Sequence, residues 1–299
     1  MTNKQLRRKI EETLAGLVVV RTVDGLKVRR KRGPKREQVL NAPEFEGSRG
    51  SLGDFVAASR SAKLLRNSLR ESLLKVDDRG MYNRLTSTVC KVLKADLRHA
   101  AGSRRISDGE PGLLKQFEFN AKSALGTTLL APHRTTINKL TGEVVVDVAS
   151  FNASKLVYAA PGATHFILHA SASTVDFDNM RYHNAYQESA LIPVDAMTTG
   201  NIQFNMQLPA GSSLPTFVAF GIYFVQQMHG VTYPLMNNSY NALLLTAVDN
   251  EKVVKDAPAT EIKEVALQPP TKPGLKTFLG PVNRLAGRMI SRRDRTGDG

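Results

Sequence analysis

His165 and His169 stand four residues apart, the separation at which a helix can bring two imidazoles to one metal ion. The residues around them read as a strand, where four positions span about 13 Å, too far for both rings to share an ion. Asp176, Asp178 and Asn179, in the stretch VDFDN, offer oxygens of the kind calcium takes. Two acids and an amide fall short of the six to eight ligands that ion requires, and an acidic turn is the simpler reading. Cys90 is the only cysteine, which excludes an internal disulfide and any zinc site with two or more Cys ligands. It falls beside Val89 on the apolar side of a helical pattern, where a structural cysteine is the default. No P-loop, dinucleotide fingerprint, nucleophile elbow or HExxH pattern is present. The expectation is a non-enzymatic protein without metal or cofactor.

The stronger chemical signal is charge. Residues 1–110 hold 25 Lys and Arg against 13 Asp and Glu, residues 111–250 hold 6 against 8, and residues 251–299 hold 10 against 6. A nearly neutral middle thus lies between basic ends, with a net charge of +14 overall. The densest cluster is Arg29, Arg30, Lys31, Arg32, Lys35 and Arg36, interrupted by Gly33-Pro34. Such a run can meet phosphates, each contact displacing a counterion and making affinity salt dependent. It can equally be the charged guard of an edge strand. Aromatics for base stacking are missing from it, so nucleic-acid contact there would be with backbone and largely independent of sequence.

The elements that would carry these residues follow from periodicity. Val18 to Thr22 and Leu26 to Arg30, separated by Asp24-Gly25, predict a β-hairpin. Residues 37–50 read as a loop. After Ser51, Leu52, Phe55, Ala58, Ala62, Leu65 and Leu69 recur at three- and four-residue steps, an amphipathic helix flanked by Arg60, Lys63, Arg66 and Arg70. A second helix is expected over 81–99, with Leu85, Val89, Val92 and Leu93 inside, forming an antiparallel pair with the first.

From Leu113 the period becomes two. Alternating stretches at 117–119, 144–148, 165–172, 202–208, 217–225, 231–235 and 239–248, separated by turn signals, fit an antiparallel sandwich of immunoglobulin-like type. Residues 217–225 are apolar on both faces, so this strand belongs mid-sheet with cover on both sides, and the helix pair should cover the face that carries Phe217 and Tyr223. The expected fold class is therefore α+β: 1–50 a basic segment with the hairpin, 51–112 the helical pair, 113–250 the sandwich. Residues 251–299 form a Pro-containing linker and a basic amphipathic tail. The N-terminus lacks a secretory pattern and no run approaches a membrane span, which together predict a soluble, cytoplasmic protein.

Several segments also resemble a known group. KRG (Lys31 to Gly33), SRSAKLLRNSLRE (Ser59 to Glu71) and NRLTSTVCKVLKAD (Asn83 to Asp96) are similar to stretches of a family of uncharacterised proteins from Bacteroidota. So are FEFN (Phe117 to Asn120), PGATHF (Pro161 to Phe166), GIYFVQQ (Gly221 to Gln227) and YPLMNNSYNALLL (Tyr233 to Leu245). The similarity spans most of residues 15–248 and implies packing and turns rather than an activity. The reading is a structural or interaction component of a larger assembly, with a protein partner or self-assembly. The alternative is a nucleic-acid-binding protein that uses Arg29 to Arg36 and the helical stripe.

Overall fold

The computed structural model describes residues 17–23, 25–30, 33–34, 36–235 and 238–250, which lie within one compact unit, Met1–Lys255. A hairpin opens the chain: β1 (Leu17–Thr22) pairs antiparallel with β2 (Gly25–Arg30), Thr22 facing Gly25. Gly25, at φ 113°, takes the left-handed backbone of the turn, which explains a glycine at that position. The segment expected to be loop is instead helical for most of its length. A short helix α1 (Arg36–Asn41) and a single 3-10 turn lead into α2 (Glu46–Ser68), five residues ahead of the expected start. The short α3 (Arg70–Leu73) and then α4 (Met81–Lys94) follow.

Nine strands make up the remainder of the described fold: β3 (His133–Asn138), β4 (Glu143–Val148), β5 (His165–Asp176), β6 (Arg181–Glu188), β7 (Ile192–Pro193), β8 (Ile202–Gln207), β9 (Thr216–Met228), β10 (Val231–Pro234) and β11 (Ala242–Asp249). Two single-turn helices, α5 (Leu125–Thr128) and α6 (Ala153–Leu156), punctuate them. All strand pairings are antiparallel. In the larger sheet β9 and β5 are central, with β10 and β11 along the outer side of β9 and β6 and β7 along that of β5. This sheet curls into a half-barrel. The smaller sheet has the order β3-β4-β8.

Strand alternation partitions the core in two. Even-numbered β9 residues, Val218, Phe220, Ile222 and Phe224, pack with Phe166, Leu168, Val144, Val146, Phe204 and Met206 between the two sheets. Odd-numbered Phe217 and Ala219, with Leu243 and Leu245 of β11, pack against Ala62, Leu65, Leu69, Leu85, Val89 and Val92 of the helices. The strand that is apolar on both faces is therefore covered on both, by sheet on one side and helices on the other. An α+β architecture with antiparallel sheets is what the periodicity predicts. The helix layer and the curled larger sheet are additions to a simple two-layer sandwich, and the immunoglobulin strand arrangement does not follow from this topology.

Residues 116–119 form no full strand, yet they run along β11: Gln116 and Phe119 donate N–H bonds to the carbonyls of Leu245 and Leu243, and the Leu245 amide donates to Phe117. Gln116 takes φ 66°, a conformation costly for a side chain that bears a Cβ.

Candidate functional site

Most side chains of the basic N-terminal cluster lie outside the described residues. Arg29 and Arg30 close β2, while Lys31, Arg32 and Lys35 lie outside the described residues. Arg36 opens α1 and is exposed.

The other sequence candidates are placed more definitely. Asp176 ends β5 and folds back on its own turn: its carboxylate accepts N–H bonds from Asp178 (3.1 Å) and Asn179 (3.0 Å) and the Asn179 side-chain amide (2.8 Å). That closed turn uses the oxygens calcium would need. Cys90 is half-buried on α4, and burial raises its thiol pKa, which disfavours the reactive thiolate. His165 bonds the neighbouring Thr164 hydroxyl at 2.9 Å. His169 is wholly buried on the helix-facing side of β5.

Around His169 lies a polar network assembled from distant parts of the chain. Its Nδ1 is 3.1 Å from the Ser72 hydroxyl of α3, which is 2.6 Å from the hydroxyl of Ser171. Behind the ring, Glu188 of β6 accepts hydroxyl bonds from Tyr186 and Tyr223 and pairs with Lys75 at 3.1 Å. Lys75 also lies 4.4 Å from the centre of the Tyr223 ring. A serine beside a histidine suggests nucleophile and base, but Ser72 is completely buried and meets no substrate in this conformation. His169 Nε2 faces Gly221, where an added Cβ would come within 2.7 Å. The network ties α3 to the larger sheet through small hydroxyls that let helix and strand approach closely.

Asp96, His99 and Asp108 present ligand atoms within 4.8 Å of one another. Asp96 is saturated, however, by the amides of Arg98, His99 and Arg105 and by the His99 ring at 2.8 Å. Burial pushes its carboxyl pKa up, and these donors outweigh burial and hold it well below the ordinary carboxylate range. The cluster is a clamp on the loop after α4.

Two surfaces among the described residues bear on binding. One is the first half of α2. Ala58, Ala62 and Leu65 are buried, and the buried row runs back through Asp54, which bonds Gly102 and Arg104 after α4, while Leu52, Phe55 and Val56 beside it are 57%, 55% and 42% exposed. Leu40 of α1 and Leu26 and Val28 of β2 are exposed as well, and among the described residues β1 and β2 pair only with each other. Leu52 and Phe55, expected in the interior, are at the surface: this end of α2 packs through Gly50, Gly53 and Asp54 on the loop at 101–104, and the two apolar side chains flank that contact.

The other surface is a groove of about 440 Å³ where the end of α2 meets the start of α4. Lys63, Arg66, Asn67 and Arg70 form one bank, Arg79 and Tyr82 the other, over Leu73, Val76 and Phe119. Periodicity shows the α2 stripe but not the facing bank, which depends on how the two helices dock.

Compared with protein-family models, with curated proteins and with solved structures, the chain matches none of them.

Proposed function

We propose that the protein is a non-enzymatic interaction component of a larger assembly, binding a protein partner or a second copy of itself through its N-terminal apolar surface. The observation that carries this reading is an apolar patch on the first half of α2: Leu52, Phe55 and Val56 stand exposed beside the buried row rather than in it. An apolar patch of this kind is stabilised when another surface covers it, at about 25 cal/mol per Å² removed from water. The hairpin adds support, because two strands alone are marginal in water and gain from a floor. Crosslinking of the full chain in its native cells, followed by mapping of the crosslinked residues, tests the reading. Crosslinks between α1 or the first half of α2 and another chain support it, and an absence of crosslinks there contradicts it.

A second reading keeps nucleic acid as the partner of the basic N-terminal segment. Its support is the charge imbalance of residues 1–110 together with the exposed Arg36. The Bacteroidota resemblance, the immunoglobulin-like character of the sandwich and the cytoplasmic location belong to the same proposal. Two antiparallel sheets facing each other across one core support the second of these, and a single free cysteine the third. No helix among the described residues is long and apolar enough to cross a membrane.

A further inference from the structure

We propose that the groove between α2 and α4 binds a small phosphorylated molecule, its phosphate held by Arg66 with Lys63, Arg70 and Arg79, and its body laid on the apolar floor. This site is separate from the N-terminal surface and does not rest on the reading given for it.

The charge of the groove is uncompensated. Lys63, Arg66, Arg70 and Arg79 line it, and none has an ion-pair partner among the described residues. Of the two acids at the rim, Asp78 is already taken: it accepts from Arg84 at 2.6 Å and from the amides of Gly80 and Ala121. Only Asp77, which is exposed, is left against four cations.

Arg66 is the centre of the site. Its guanidinium carbon lies 4.2 Å from the centre of the Tyr82 ring, and no hydrogen-bond acceptor engages it among the described residues. It is partly desolvated without a carboxylate, a state that an entering anion relieves. A planar guanidinium is also the side chain best matched to two phosphate oxygens at once.

α4 begins at the same place, and its N-cap residue, Gly80, brings no capping side chain. The Asp78 carboxylate already accepts the Gly80 N–H there at 2.7 Å, so the attraction for an anion comes from the four side chains rather than from the helix end. The volume falls within the range of small-molecule sites, and a half-buried Arg66 between two banks is reached by a ligand that enters rather than by the convex backbone of a duplex.

Calorimetric titration of the full chain at low ionic strength, with AMP, inorganic phosphate, adenosine and a short oligothymidylate as probes, tests this. AMP and phosphate are expected to compete for one site, with adenosine silent. Arg66→Gln combined with Arg70→Gln should weaken both by about tenfold or more, and so should Lys63→Gln combined with Arg79→Gln. Lys94→Gln removes charge outside the groove and should change affinity less than about twofold. Cooperative thermal transitions show that the variants fold. The proposal is overturned if phosphate binding does not saturate, if Lys94→Gln weakens it as much as the groove variants do, or if oligothymidylate displaces AMP and binds more tightly.

Discussion

Gln187 of β6 donates its side-chain N–H to the Asn205 carbonyl at 2.7 Å and accepts the Asn205 N–H at 2.8 Å. One side chain thereby supplies the two bonds that a paired strand would supply, and joins the larger sheet to the β8 edge of the smaller one. At the opposite seam Thr135 of β3 donates its hydroxyl to Thr246 of β11 at 3.1 Å. The two sheets are stitched along both flanks by side chains rather than by a continuous ladder.

Replacing Gln187 with Ala leaves the Asn205 amide and carbonyl to water or unpaired. The expected loss is about 1 to 2 kcal/mol in a urea titration, with faster hydrogen exchange at the Asn205 amide. Unchanged exchange at Asn205 would show that the seam is closed by other contacts.

Phe220 lies between the rings of His133, 4.8 Å away, and Phe204, 6.0 Å away, and is fully buried. Phe220→Ala should cost about 3 to 5 kcal/mol in the same measurement. A loss under about 1 kcal/mol would be incompatible with a filled core between the sheets.

His169 sets an acid limit on stability. Burial pushes its pKa down to about 3, with Glu188 raising and Lys75 lowering it as lesser influences. The folded chain keeps the ring neutral, whereas the unfolded chain takes up a proton once the pH falls below about 6.5. This stability is whole above pH 6.5 and declines as the pH drops from there toward 3, by up to about 1.4 kcal/mol per pH unit. Denaturant titrations between neutral pH and pH 4.5 should show a shallower decline for His169→Gln than for the parent. Parallel profiles would contradict the assignment.

Glu118 acts in the opposite sense. Burial pushes its carboxyl up to about 7, against the weaker pull of the Leu125 amide and Arg84. With the folded value above the unfolded one, the cost is absent below about pH 4.5 and grows as the pH rises toward 7. Glu118→Gln keeps an acceptor for the Leu125 N–H and should raise the Tm at pH 8 but not at pH 4. An equal effect at both values would rule out titration as the cause.

The layers were legible because periodicity is local. Alternation across 217–225 and the Leu85, Val89, Val92 and Leu93 spacing each report a buried face without knowledge of its partner. The early start of α2 was not legible, since residues 37–50 contain Pro43 and two glycines and have no capping signal that outweighs them. β6 was missed because its side chains are mostly exposed and do not alternate. The Ser72–His169 contact and the far bank of the groove were beyond reach for another reason. The first joins residues 97 positions apart, and the second depends on helix docking that no spacing rule supplies.

A protein that works through an apolar surface in need of a partner assembles in solution, and the assembly depends on Phe55. Sedimentation velocity of the full chain, with and without extract from its native cells, compared for wild type and for Phe55→Glu, tests it most directly. Wild type is expected to sediment as a complex or an oligomer. The Phe55→Glu chain, with its thermal transition intact, is predicted to sediment as a monomer. A wild-type chain that remains monomeric under both conditions, or a Phe55→Glu chain that assembles equally well, would contradict it.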